Sequence, residues 1–192
     1  MSEHKDIAAM LADAERSEAY AREAATEAMI QHFVAESNRI EGIQRPATGA
    51  EIAEHRRFLG LKKVTVKALE KFVSVYQPGK ELRRLPGMNV RVGSHIAPAG
   101  GPDIEPALKA IVTYANLLSE PHSPKERHRI AYNAHIAYET LHPFMDGNGR
   151  SGRMLWAWCM QGQHPLGFLH HWYYQTLQFA EDRNCPSKAD GA

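Results

Sequence analysis

Residues 142 to 153 read His142-Pro143-Phe144-Met145-Asp146-Gly147-Asn148-Gly149-Arg150-Ser151-Gly152-Arg153, and no other run constrains the chain as much. Gly147 and Gly149 lack a Cβ, so the backbone there can turn sharply and approach an anion closely. Met154, Leu155, Trp156 and Trp158 follow at helical spacing. The turn therefore delivers its N–H groups at a helix N-terminus, where the dipole and unsatisfied donors favour phosphate. Upstream, Ser123-Pro124-Lys125-Glu126 combines capping-box spacing with proline at the first helical position. That predicts a helix to about Leu141 with His142 at its end. In this helix–turn–helix frame Asp146 can hold a divalent cation, and Arg150 and Arg153 can neutralise phosphate oxygens. His142, with an unperturbed pKa of about 6.5, can accept a proton.

Singly, each residue has an ordinary reading. His142 suits the negative end of a helix dipole, Asp146 a turn, Asn148 a helix cap, and Arg150 with Arg153 a solvated helix face. It is the joint arrangement that points to a nucleotide phosphate site. The eleven histidines raise a metal reading, since His128, His135 and His142 recur every seven residues. Seven helical residues rise about 10.5 Å, whereas zinc holds its imidazoles at about 2.0 Å, so one ion cannot gather them.

The run resembles the signature of the Fic family, His-x-Phe-x-Asp/Glu-Gly-Asn-Gly-Arg-x-x-Arg, with every fixed position filled. The resemblance implies an all-α, Fic-type helical domain with a short β-hairpin flap near the active site. It implies protein adenylyl transfer, in which a Ser, Thr or Tyr hydroxyl of a target protein attacks the α-phosphate of ATP. His142 would take the hydroxyl proton, Asp146 would hold Mg²⁺, and Gly147, Asn148 and Gly149 would form an anion nest. Arg150 would meet the β-phosphate region and Arg153 the γ-phosphate, with Phe144 buried to fix the loop. His135 and Glu139 are expected to be buried or supporting. The best match to the flap is Asn89 to Pro98, where Val90, Val92 and Ile96 alternate, Gly93 turns, and Arg91, Ser94 and His95 face the incoming segment by strand addition.

A second stretch, Ser37-Asn38-Arg39-Ile40-Glu41-Gly42, resembles the inhibitory Ser/Thr-x-x-x-Glu-Gly/Asn motif of Fic proteins, placed N-terminal to the core as in class II members. It also reads as a plain helix end with a left-handed glycine. The expectation is that Glu41 pairs bidentately with Arg153, taking the guanidinium that the γ-phosphate needs, while Ser37 holds the helix in place. The whole reads as an autoinhibited protein adenylyltransferase, with self-modification as one outlet. Removal of AMP, with Glu41 positioning a water, and transfer of another nucleotide or of phosphate use the same residues. A non-catalytic nucleotide-binding regulatory module is the reading from another class, and His142 and Asp146 speak against it.

Elsewhere the chain reads as one compact domain of 192 residues, 43% hydrophobic and 23% charged. Residues 1–60 form an N-terminal helical region carrying motif 37–42, residues 61–185 the Fic core, and residues 186–192 a frayed tail. Helices are expected over residues 2–40, from Thr48 to about Phe58, from Val64 to Tyr76, from an Asp103 cap to about Ser119, over 124–141, over 148–161 and over 165–184. The proline- and glycine-rich stretch 85–102 reads as a hairpin. A net charge of +1 leaves no footprint for general nucleic-acid or membrane binding. The polar start and the lack of a run of roughly 20 apolar residues lead to an expected cytoplasmic location. Cys159 and Cys185 imply no disulfide framework. The alanine-rich first 35 residues fit extension of the inhibitory helix or homo-oligomer packing.

Overall fold

Helix dominates the residues that the computed structural model describes, 26–92 and 95–160. The expected helix over 165–184, the tail 186–192, the first 25 residues, Gly93 and Ser94 lie outside them. Helix α1 covers residues 26–40 and closes in a Schellman arrangement. Ile43 N–H donates to Asn38 O and Gly42 N–H to Arg39 O, each at 3.0 Å, with Gly42 at φ +77°, a conformation that suits glycine. Helix α2 (Gly49–Leu59) starts from a complete capping box. Thr48 Oγ1 accepts from Glu51 N at 3.2 Å, and the Glu51 carboxylate accepts from Thr48 N at 2.8 Å. Helix α3 (Val66–Tyr76) is capped by Thr65.

Strands β1 (Arg91–Val92) and β2 (His95–Ile96) form one antiparallel pair, Arg91 opposite Ile96 and Val92 opposite His95. Helices α4 (Ile104–Ala115), α5 (Pro124–Leu141) and α6 (Asn148–Met160) follow. Two caps differ from expectation. Asp103 is itself helical in backbone and makes no side-chain cap. α4 stops at Ala115 and tightens into a 3₁₀ turn over Asn116–Ser119, where the Asn116 amide bonds Val64 N and Val64 O, both at 2.8 Å. Ser123 caps α5 through Glu126 N, but the Glu126 carboxylate faces His122 and Arg129, so the reciprocal half of that box is not formed.

Helix α6 is the hub. All its residues from Arg150 to Met160 are buried, the pattern of a helix surrounded by protein rather than one with a wet face. α5 packs along it, α4 covers α5, and α2 and α3 close the other side. Fully buried Leu108, Ala134, Tyr138, Met154 and Leu155 fill the centre; each large apolar side chain contributes roughly 1.5–3 kcal/mol on leaving water. Trp158 Nε1 donates to Leu61 O at 2.8 Å, tying the hub to the α2–α3 connection. No described helix is long and apolar enough to cross a membrane.

Candidate active site

α5 ends because Pro143 cannot continue it, and His142 takes a left-handed conformation, φ 49° and ψ 62°. It is the one non-glycine residue with positive φ among those described. Such a conformation costs an L-residue about 1–2 kcal/mol, so the surroundings must hold it. His142 N–H bonds Tyr138 O at 2.9 Å, and Arg83 Nε donates to His142 O at 2.7 Å. His142 Nδ1 lies 3.3 Å from Glu139 O. A carbonyl only accepts, so Nδ1 carries the proton and Nε2 the lone pair.

The loop that follows is held from several sides. Phe144 is buried and bridges Leu82, with Arg83 N donating to Pro143 O at 2.9 Å and Met145 N to Glu81 O at 3.0 Å. The Asn148 side chain accepts from Phe144 N and donates to Phe144 O, both at 2.8 Å. Its amide is therefore spent on closing the loop, and only its backbone N–H is left to serve the expected nest. Gly147, at φ +79°, gives its N–H to Asp146 Oδ1 at 2.6 Å, so the carboxylate expected to hold metal also braces the turn. The first amides of α6, at Asn148, Gly149 and Arg150, have no acceptor within the helix. Tyr138 OH and Ser151 Oγ lie 2.6 Å apart, and Ser151 Oγ is 2.8 Å from Gly147 O, fastening the turn to α5.

The two arginines are buried rather than solvated. Arg150 lies with its guanidinium carbon 5.5 Å from the Tyr76 ring centroid, a cation–π placement. Burial lowers its pKa, opposed by the carboxylates of Glu41 and Asp146, and its Nε has no hydrogen-bond partner. Arg153, 4% exposed in its side chain, meets Glu41 at 2.6 Å between Nη2 and Oε1. Its Nε donates to Ser37 Oγ at 2.9 Å and Nη2 to Ser37 O at 3.0 Å. The contact with Glu41 runs from Nη2 to Oε1, rather than through the expected bidentate pair, and Nη2 is shared with Ser37 O. Glu41 Oε1 also stands where a Cβ on Gly149 would be, 2.4 Å from that position. The carboxylate thus covers the first turn of α6.

Beneath this layer, burial pushes the His135 imidazole down to about 4, with its Nδ1 donating to Gly152 O at 3.2 Å. Burial likewise pushes the Glu139 carboxyl up to about 8, Arg153 opposing and Glu41 adding. Glu139 Oε1 is covered and without a hydrogen-bond partner, lying 2.0 Å from where a Cβ on Gly152 would sit. In the hairpin, Val90 is half-buried while Arg91 and Ile96 are exposed, Ile96 by 73%. The pairing of Val92 with His95 is backbone register. One residue that the sequence did not single out is Arg83, fully buried between the hairpin and the loop. As half of an Arg-Arg pair before Leu85-Pro86-Gly87 it looks like surface charge, and nothing local marks it otherwise.

Among the described residues no group of three or more His, Cys, Asp or Glu side chains is arranged to hold a metal ion. A magnesium–nucleotide site does not need one, since it uses one or two carboxylates with waters and phosphate oxygens. A family model described as Fic/DOC family matches residues 60–160, more than half of the 192-residue chain. No curated protein matches the chain.

Proposed function

The chain belongs to the Fic/DOC family, and from that premise we propose that it is a protein adenylyltransferase restrained by its own Glu41. Family membership supports a transferase of the AMPylating type with ATP as substrate and proteins as targets. The finer reading rests on one observation: Arg153 is held by Ser37 and Glu41 while the Glu41 carboxylate covers Gly149.

In the working state a target hydroxyl oxygen attacks the α-phosphorus, its proton passing to His142 Nε2. The bond from that phosphorus to the bridging oxygen breaks, and pyrophosphate leaves with the electron pair. Gly147, Asn148 and Gly149 shape the turn, and the amides of α6 offer donors to the phosphates. Arg153 takes the γ-phosphate, and Arg150, stacked on Tyr76, faces the phosphates between. Mg²⁺, held by Asp146, would supply charge neutralisation on the phosphate oxygens. Val90 to Ile96 would align the target strand. While Glu41 stays on Arg153 the γ-phosphate has no guanidinium to meet and must also face a carboxylate.

The test is wild type beside Glu41→Gly, each with α-labelled and γ-labelled ATP. Exposed ion pairs contribute up to about 1 kcal/mol and buried ones cost about 3–5 kcal/mol when broken. With Glu41 32% exposed in its side chain, about 1–2 kcal/mol is appropriate, a gain of roughly tenfold in α-label transfer. Label from γ alone would mean phosphoryl transfer, loss of AMP from a pre-modified protein would mean the reverse reaction, and no label from either variant would favour a nucleotide-binding module.

A further inference from the structure

Arg83 makes four side-chain hydrogen bonds, and all of them run to main chain. Its Nε donates to His142 O at 2.7 Å and its Nη2 to Leu141 O at 2.8 Å. Nη1 reaches the opposite way, to Met88 O at 3.1 Å and Pro98 O at 2.8 Å, the two feet of the β1–β2 hairpin. The Arg83 backbone repeats the pattern, its N–H on Pro143 O and its carbonyl accepting from Gly101 N, both at 2.9 Å. The feet are themselves pressed together. Gly100 N–H donates to Asn89 Oδ1 at 3.0 Å, and a Cβ on Gly100 would stand 2.4 Å from Met88 O.

Such a residue is expensive as mere filler. Arg83 is 0% exposed, burial lowers its pKa, and each hydrogen bond of its side chain goes to a carbonyl. A buried guanidinium is tolerated only when its donors are met, and here the last carbonyls of α5, at the negative end of the helix, help to meet them. An apolar side chain would fill the volume without that cost. What arginine adds is a rigid planar fork that holds carbonyls of two separate segments at fixed angles.

We infer that Arg83 is a positioning residue, locking the base of the hairpin to the backbone of His142 so that a strand laid along the hairpin brings its hydroxyl to the imidazole. The inference rests on the transferase reading above for its functional part and on geometry for its mechanical part. Because misplacing a reacting group by about 1 Å can cost roughly 10²-fold in rate, a looser tie should show in transfer before it shows in ATP binding.

The experiment places Arg83→Lys and Arg83→Met in a Glu41→Gly background. Lysine keeps the charge but has a single point of attachment, and methionine keeps the stem alone. ATP affinity, melting temperature, the rate of α-labelled self-modification at saturating ATP, and hydrogen exchange over residues 88–101 and 141–149 are measured on each. Arg83→Lys should stay folded, bind ATP within about threefold of the parent and transfer at least tenfold more slowly, with faster exchange in both segments together. Parent-like transfer by folded Arg83→Lys, or exchange that changes in one segment only, overturns the inference. If the Glu41→Gly parent transfers no label, the transferase reading fails, and the exchange comparison alone then decides whether Arg83 couples the two segments. Should Arg83→Met not fold, Arg83→Lys carries the same decision.

Discussion

Replacing Glu139 by glutamine should change how stability depends on pH, and the structure sets the size of the change. In the folded chain the Glu139 carboxyl titrates at about 8 rather than 4.5. Between those values the unfolded chain has released a proton that the folded chain keeps, so stability falls as pH rises, at about 1.4 kcal/mol per unit. Its neighbour one turn away does the opposite. His135 titrates at about 4 rather than 6.5, so between those values the unfolded chain holds the extra proton and stability rises with pH. From about pH 4.5 to 6.5 the two slopes cancel. Above 6.5 the slope from Glu139 is no longer opposed by His135, and that group alone should lower stability by about 2 kcal/mol on reaching pH 8. Glu51 titrates at about 2, burial raising it and the Arg45 ion pair together with the Thr48 hydrogen bonds more than offsetting that, and its contribution is complete above 4.5. Urea unfolding at half-unit intervals from pH 4.5 to 9 gives the curve directly. In Glu139→Gln the fall above 6.5 should vanish and the rise below it, from His135, should emerge. A wild-type curve that is flat or rising between pH 6.5 and 8, or a Glu139→Gln curve that follows it, would refute the reasoning. The link to the proposed function is Arg153: with Glu139 neutral, Glu41 is the carboxylate that the proposal sets against phosphate for that guanidinium.

Two further outcomes are expected. His142→Gly should abolish transfer while holding or raising the melting temperature, since glycine relieves the left-handed strain worth about 1 kcal/mol; residual transfer above background would remove His142 from the chemistry. Gly152→Ala should destabilise the fold by about 1–3 kcal/mol in chemical unfolding despite alanine's better helix propensity, because its Cβ would meet Glu139 Oε1 at 2.0 Å and Tyr138 Cδ1 at 3.2 Å. Adding Glu139→Ala should recover much of the loss, and a Gly152→Ala single variant as stable as wild type would contradict the packing.

Much of the helical framework was legible because its signals are local. Thr48 with Glu51 and Pro143 after His142 each bond or block within a few residues, and that information sits in consecutive sequence. Asp103 misled for a related reason. A cap needs an extended backbone at that position, and Asp103 is helical instead, a choice that residue type does not reveal. Within the loop the residue identities carried the family pattern that the match over residues 60–160 bears out, yet they did not show how the polar atoms are shared. Asn148 spends its amide on Phe144, and Arg150 turns to Tyr76 across to α3.

What the sequence by itself determined is the chemistry on offer. A base follows a helix, a carboxylate stands at a glycine turn, two arginines lie on the next helix, and a Ser-x-x-x-Glu-Gly stretch sits more than a hundred residues earlier. What only the tertiary structure decided is which charges meet. Ser37 and Glu41 reach Arg153 across 116 and 112 positions of chain, and Arg83 joins the hairpin to α5 across 58 and 59. Such contacts exist because Arg153 on α6 and Arg83 are both buried, so that their polar groups must find partners on whichever elements pack against them.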